Sequence, residues 1–342
     1  MKQPVDAGPG ALAGRNPAGQ SLLRRAGRTA AIACGAVAGL AVLTVLEGLL
    51  AYERLALKER VDAVPATGYF GRHDDGREPL RLALLGDSLA VGYGAAVPEG
   101  SVGYMLADGL AAATGRPVTL DNVALIGATS EDLVLQVAAL DARGLRPDVA
   151  VIIVGGNDIL HLRNFSRSLA ALAETVRALR RRGSQVVLAS CPDLGTVSVF
   201  LQPLRFSAHW MSLMLATGQT IVVLRNGGRT VSLADLLGPI FRRKPKQMFS
   251  TDRLHPSAHG YAQAAMVMLP SVVAAAGYNN GGLAGVPHRV YRKGRRRPLA
   301  WFAFRASRRS GTEVRLVSGR RGRDISVRHV PHVRRKAGPG RA

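Results

Sequence analysis

Between residues 79 and 275, short apolar runs alternate with longer stretches of helical period. This alternation limits the possible folds more than any other feature of the chain. Residues 80–85 are apolar apart from Arg81, and 117–123 and 185–189 also read as strands. The most apolar run, 148–154, ends at Gly155. Between these runs, 100–114 reads as a helix stopped by Gly115, and 130–142 as a helix with Ser130, Glu131 and Asp132 suited to its first turn. Residues 166–182 form an amphipathic helix with Leu169, Leu172, Ala173, Val176 and Leu179 on one face. A fifth strand comes from 221–224 or from 230–233, and 259–275 is a closing helix. Each crossover lays a helix against the sheet, so the expected class is α/β, with a central parallel sheet covered on both faces.

The flanks differ in kind from this region. The formal charge is +23, yet residues 288–342 hold 18 Lys/Arg against only Glu313 and Asp324, a net of +16. The basicity therefore belongs mostly to the C-terminal part. Residues 1–28 read as a disordered basic leader. Residues 30–46 carry no charge, and with their continuation to Tyr52 they give about 20 residues, enough to cross a bilayer. Arg24, Arg25 and Arg28 precede the run, so its N-terminal side is expected to stay cytoplasmic. We read 29–52 as a transmembrane signal anchor that leaves the rest of the chain extracytoplasmic. A cleaved signal peptide, giving a secreted protein, and a docked soluble helix are the alternatives. A linker covers 53–78, the globular domain 79–278, and a basic, disordered tail 279–342. Cys34 falls in the apolar run and Cys191 far beyond it, which argues against a disulfide between them, and no Cys/His cluster has zinc-ligand spacing.

Four short segments carry chemistry. The first, Gly86-Asp87-Ser88-Leu89, follows a strand end, where an open parallel sheet binds its ligands. It offers Ser88 as a nucleophile. Gly127 sits in the segment after the next strand, and glycine lets a main-chain N–H approach a substrate closely. Gly155-Gly156-Asn157-Asp158 ends the most apolar strand, and the Asn157 amide is a neutral donor that keeps its proton at any working pH. Last comes Asp252-Arg253-Leu254-His255-Pro256. There His255 can act as a base and Asp252, three residues before it, can orient its ring. A nucleophile, a base, an orienting carboxylate and oxyanion donors are the parts an acyl-transferring hydrolase needs.

In this order the blocks resemble those of the SGNH hydrolases, also called the GDSL esterase/lipase family. The first block extends through Leu84-Leu85 before it and Ala90-Val91-Gly92-Tyr93-Gly94 after it. The second departs from the commonest family form at Ala124 and Ile126. The resemblance implies a flavodoxin-like three-layer α/β/α domain over 79–278. It implies a catalytic triad of Ser88, His255 and Asp252, and an oxyanion hole built from Ser88, Gly127 and Asn157. It also implies no metal or organic cofactor. The expected activity is hydrolysis of acyl esters, whether lipid, glycan-acetyl or thioester. An acyltransferase would share the same acyl-enzyme. A third possibility is an envelope protein that binds anionic polymer or lipid through its basic tail; nucleic acid is not favoured, because no nucleic-acid-binding signature accompanies the charge. His259, four residues after His255, reads as a surface helix residue, and His73-Asp74-Asp75 as a solvated turn. His161 and His209 have no evident partner in the sequence. Cys191 follows a strand end and is placed at the cleft rather than as a nucleophile.

Overall fold

The computed structural model describes residues 39, 42–43, 46–48, 65–72, 76–197, 199–234, 241, 244–278, 289–291, 298–309, 311–319 and 322–329. Within 79–278 the apolar runs form strands β2 (Leu80–Gly86), β3 (Val118–Asn122), β4 (Val149–Ile153), β5 (Gln185–Ala189) and β6 (Arg229–Val231). All five run parallel, in the order β3-β2-β4-β5-β6. Every residue of β4 is buried, whereas β3 alternates buried and half-buried positions. A strand covered on both faces needs apolar side chains on both, which is why 148–154 lacks the alternation of a strand with one wet face. A short strand β1 (Gly68–Phe70) adds antiparallel to β3 at one edge.

Helices cover both faces. On one face, α2 (Val102–Thr114) and α8 (Ala258–Ala275) bury Leu106, Leu110, Val272 and Val273 against Leu82, Leu84, Val151 and Ile153. On the other face, α3 (Leu133–Ala142), α5 (Phe165–Arg181) and the end of α6 (Leu204–Arg225) meet Ala83, Leu85, Ile152 and Leu188. The two-residue period of the strands divides their side chains between these two cores. Ser101 caps α2 by accepting the Tyr104 N–H, and Gly115 ends it in the left-handed conformation at φ +63°. A 3₁₀ turn, Ser130–Asp132, precedes α3, and its cap is Thr129, not Ser130. The Thr129 hydroxyl and the Asp132 carboxylate form a capping box.

Residues 221–224 are the last turn of α6, so the fifth parallel strand is β6. A four-residue apolar run fits a helix face as well as a strand, and here the preceding helix continues through it.

The larger correction concerns the tail. Residues 299–306 form α9 (Leu299–Ala306), and 312–329 form a hairpin of β8 (Thr312–Gly319) and β9 (Gly322–His329). β8 pairs antiparallel with β6, and β7 (Arg289–Tyr291) adds to β9, giving a mixed nine-stranded sheet among the described residues. Val314 and Ile325 from the hairpin bury against Phe302 and Ala306 of α9 and Leu224 of α6. Glu313 is buried and takes Arg229 at 3.4 Å, Arg328 at 2.5 Å and the Ser271 hydroxyl at 3.0 Å. One of the arginines that made this segment look like a solvated tail, Arg328, is thus a partner of a buried carboxylate.

The run expected to cross a membrane, 29–52, lies mostly outside the described residues. Among the described residues no helix is long and apolar enough to cross a membrane. Glu47, near the end of that run, accepts the Leu204 N–H at the start of α6 at 3.1 Å. That position suits an anion, because the first N–H groups of a helix have no intrahelical partner.

Candidate active site

The structure brings Ser88, His255 and Asp252 together and places Gly127 and Asn157 on the loops after the strands that flank β2. β2 ends at Gly86 with φ +136°, and a Cβ there would sit 1.8 Å from the Ile153 carbonyl oxygen. Only glycine permits so close an approach of β2 to β4. Asp87 then caps the four-residue helix α1 (Ser88–Val91), its carboxylate accepting the Leu89 N–H at 3.0 Å. Ser88 is the first residue of α1, so its own N–H has no carbonyl within the helix to meet. Its hydroxyl oxygen lies 2.8 Å from His255 Nε2.

The histidine loop is shaped by short bonds. His255 Nδ1 lies 2.6 Å from one Asp252 oxygen. The other Asp252 oxygen accepts the Ser250 hydroxyl at 2.6 Å and the N–H groups of Leu254 and His255, both at 2.9 Å. Arg253 turns the chain in the left-handed region at φ +59°, and the Ser250 N–H closes on the His255 carbonyl at 2.8 Å. The Tyr93 ring lies against the imidazole with centroids 4.6 Å apart, and the Tyr93 carbonyl accepts the buried Tyr261 hydroxyl at 2.7 Å. Burial pushes the Asp252 carboxyl up, but the hydrogen bond and charge of His255, with the Ser250 and Leu254 bonds, outweigh it and hold it below the ordinary carboxylate range. Asp252 is therefore ionised and can stabilise an imidazolium.

Gly127 lies in an exposed turn at φ +81°, between β3 and α3. Asn157 belongs to the short helix α4 (Gly156–Leu160) after β4. Its amide donates to the Ala128 carbonyl at 3.0 Å, so it is tied to the residue after Gly127. The second amide hydrogen remains as a further donor. Beneath it, the buried Asp158 accepts the Ser130 N–H and hydroxyl, both at 3.1 Å. Three hydrogen bonds thus join the loops after β3 and β4, on either side of the β2 loop that carries Ser88. Such a constellation can transfer a proton from a serine hydroxyl to an imidazole and offer neutral donors to an oxyanion.

Several supporting groups escaped the sequence reading. The buried Gln136 side chain bonds both main-chain groups of Gly86. The buried Gln219 side chain accepts the Cys191 N–H at 2.8 Å and donates to the Val154 carbonyl at 2.9 Å, clamping the ends of β4 and β5. His209 has a partner after all, the Asp193 carboxylate at 2.8 Å. No signal in the sequence marks a glutamine on a helix as a clamp on a distant glycine. Cys191 is fully buried; burial and then the nearby negative charges of Asp87, Asp158 and Asp193 push its thiol well up, which disfavours a thiolate.

Residues 84–263 match the GDSL-like lipase/acylhydrolase family. A GDSL-like esterase of Mycobacterium tuberculosis strain H37Rv is 41% identical over 244 residues, spanning 69% of this chain and 78% of that protein. Among solved structures, the acetylxylan esterase Axe2 from Geobacillus stearothermophilus is similar at 18% identity and TM-score 0.44, covering 58% of this chain and 95% of its own. The lipase Lip_vut3 from a goat rumen metagenome is similar at 19% identity and TM-score 0.46, covering 58% and 98%. With its blocks in family order and the family match spanning more than half its length, the chain belongs to the GDSL-like lipase/acylhydrolase family and is a GDSL-type ester hydrolase.

Proposed function

We propose that the ester hydrolysis runs through a Ser88-His255-Asp252 triad. The observation that carries the proposal is the pair of contacts on one imidazole, 2.6 Å to Asp252 and 2.8 Å to Ser88. His255 Nε2 takes the Ser88 proton as Oγ bonds to the acyl carbon. The carbonyl oxygen becomes an oxyanion, held by the N–H groups of Ser88 and Gly127 and the Asn157 amide. Collapse breaks the bond to the alcohol oxygen, which leaves with the proton from His255. Water then repeats the sequence on the acyl-Ser88 ester and releases the carboxylic acid. The ionised Asp252 fixes the tautomer with Nδ1 protonated, which leaves Nε2 free to accept. Leu125, Ile126, Leu160 and Leu162 are all exposed on the loops bearing or following Gly127 and Asn157. They favour esters with an apolar portion over purely sugar-borne acetyl groups.

The proposed setting is a membrane-tethered enzyme with its catalytic domain outside the cytoplasm. The uncharged run 30–46 and the preceding Arg24, Arg25 and Arg28 support it. The Glu47–Leu204 bond also fits, since it joins the outer end of such an anchor to the catalytic domain.

A fluorophosphonate probe tests the triad. It should label Ser88, and Ser88→Ala should lose both labelling and turnover. His255→Ala should lose activity by about 10⁴-fold or more, and Asp252→Asn by a comparable or smaller factor. Labelling of another serine in Ser88→Ala would refute the assignment. An ester panel including thioesters and acetylated glycans, read as free acid released, defines the substrate.

A further inference from the structure

We propose that the C-terminal extension holds a second binding site, for a phosphate ester carried on a ring. It lies outside residues 84–263, and the ester hydrolase mechanism makes no use of it. A cavity of about 520 Å³ opens between β7, α9 and β9, within the size range of small-ligand sites. Its lining includes Arg289, Arg305 and Arg309 together with His329, and among the described residues no carboxylate. Elsewhere in the same extension an arginine does meet a carboxylate: Arg328, with Arg229 of β6, pairs with Glu313 on the other face of β8. Bringing three like charges to one concavity is unfavourable unless an anion joins them. Arginine suits this task, because its planar fork matches the oxygens of a phosphate.

The rest of the wall is aromatic. Tyr291 and Phe302 have ring centroids 4.8 Å apart, and Trp301 and Phe302 5.0 Å apart. Arg305 lies over the Trp301 ring at 5.3 Å. A simple inorganic ion would need only the arginines. The three rings, inclined 49° (Tyr291–Phe302) and 88° (Trp301–Phe302) to one another, line the wall with apolar ring faces and edges against which a sugar or aryl ring can pack while its phosphate meets the arginines. The ligand can be a free sugar phosphate or the head group of a phosphoinositide-type lipid, since both present the same ring and phosphate.

Titration calorimetry on the full chain tests the proposal with phenyl phosphate, glucose 6-phosphate, inorganic phosphate and glucose. Phenyl phosphate and glucose 6-phosphate should bind at least about tenfold more tightly than inorganic phosphate, and glucose should not bind. The double variant Arg305→Gln/Arg309→Gln should weaken the phosphate esters by about 100-fold and leave ester turnover unchanged. Trp301→Ala should erase the preference for ring-bearing ligands. If the double variant does not fold, Arg305→Lys/Arg309→Lys keeps the charge, loses the fork and should still weaken binding by about tenfold. Sedimentation with phosphatidylinositol vesicles, competed by phenyl phosphate, assigns the source to a lipid head group; binding of the soluble esters alone assigns it to a free sugar phosphate. No saturable binding of either, equal binding to phosphatidylcholine vesicles, or undiminished affinity in a folded double variant would overturn the site.

Discussion

Gln136 grips Gly86 from both sides. Its Oε1 accepts the Gly86 N–H at 2.7 Å, and its Nε2 donates to the Gly86 carbonyl at 2.8 Å. The two residues are 50 positions apart, and both are buried. Gly86 is also where β2 turns into the loop that carries Ser88. The carbonyl has a second donor, the Leu125 N–H at 3.1 Å. The N–H depends on Gln136.

Removing this clamp tests how far the nucleophile loop is held by its support. Gln136→Leu leaves the Gly86 N–H buried and unpaired, which costs about 1–3 kcal/mol. We expect the unfolding free energy from urea titration to fall by that amount, together with a drop in kcat larger than any change in KM. Unchanged kcat in a destabilised variant would show that Gln136 serves the fold and not the position of Ser88.

Asn157 gives a second prediction. Loss of one oxyanion donor costs about 10²–10³ in kcat. The Asn157 amide also ties the Ala128 carbonyl, so Asn157→Ala loosens the Gly127 turn as well, and the loss should fall at the upper end of that range. KM should change little, and Ser88 should still react slowly with a fluorophosphonate. A variant with normal kcat and raised KM would make Asn157 a binding residue.

Asp87 gives a prediction in pH. Burial raises its carboxyl to about 7, and the Leu89 N–H and the His255 charge offset this only partly. The folded state therefore holds a proton that the unfolded state releases near pH 4. Stability contributed by this group is greatest below pH 4 and falls as pH rises through 7. Asp87→Asn keeps an acceptor for the Leu89 N–H without the buried charge. It should be more stable than the parent by about 2–4 kcal/mol at pH 8, and the difference should vanish at pH 4. Thermal unfolding of both forms across this window checks it; a gap that grows toward low pH would contradict the assignment.

The topology can be tested by extraction. A chain anchored through 29–52 should stay in the membrane fraction in 1 M salt, because burial of about 20 apolar residues does not respond to ionic screening. A protein held by its basic extension should wash off. A reporter active only outside the cytoplasm, fused at the C-terminus, should be active; an inactive one would reverse the proposed orientation.

The alternation of runs from 79 to 275 was enough to specify a parallel sheet with helices on both faces, because strand and helix periods are local properties of the chain. The four blocks were legible for the same reason. Asp252 and His255 are three residues apart, and Ser88 and Asn157 stand directly after apolar strands. Topology then had little freedom in where to put them, since the loops at one end of adjacent parallel strands must meet. Sequence alone did not disclose what lies across the chain from these residues. Gln136 on Gly86, Gln219 between Val154 and Cys191, and His209 on Asp193 are side chains whose partners are chosen by packing. The C-terminal hairpin shows the same limit most plainly. Its arginines made it resemble a solvated tail, and only its pairing with β6 reveals that Val314 and Ile325 face a core and that Glu313 pairs with both Arg229 and Arg328. Strand β8 is stabilised by its ladder with β6, more than 80 residues earlier in the chain, and no local pattern encodes that neighbour.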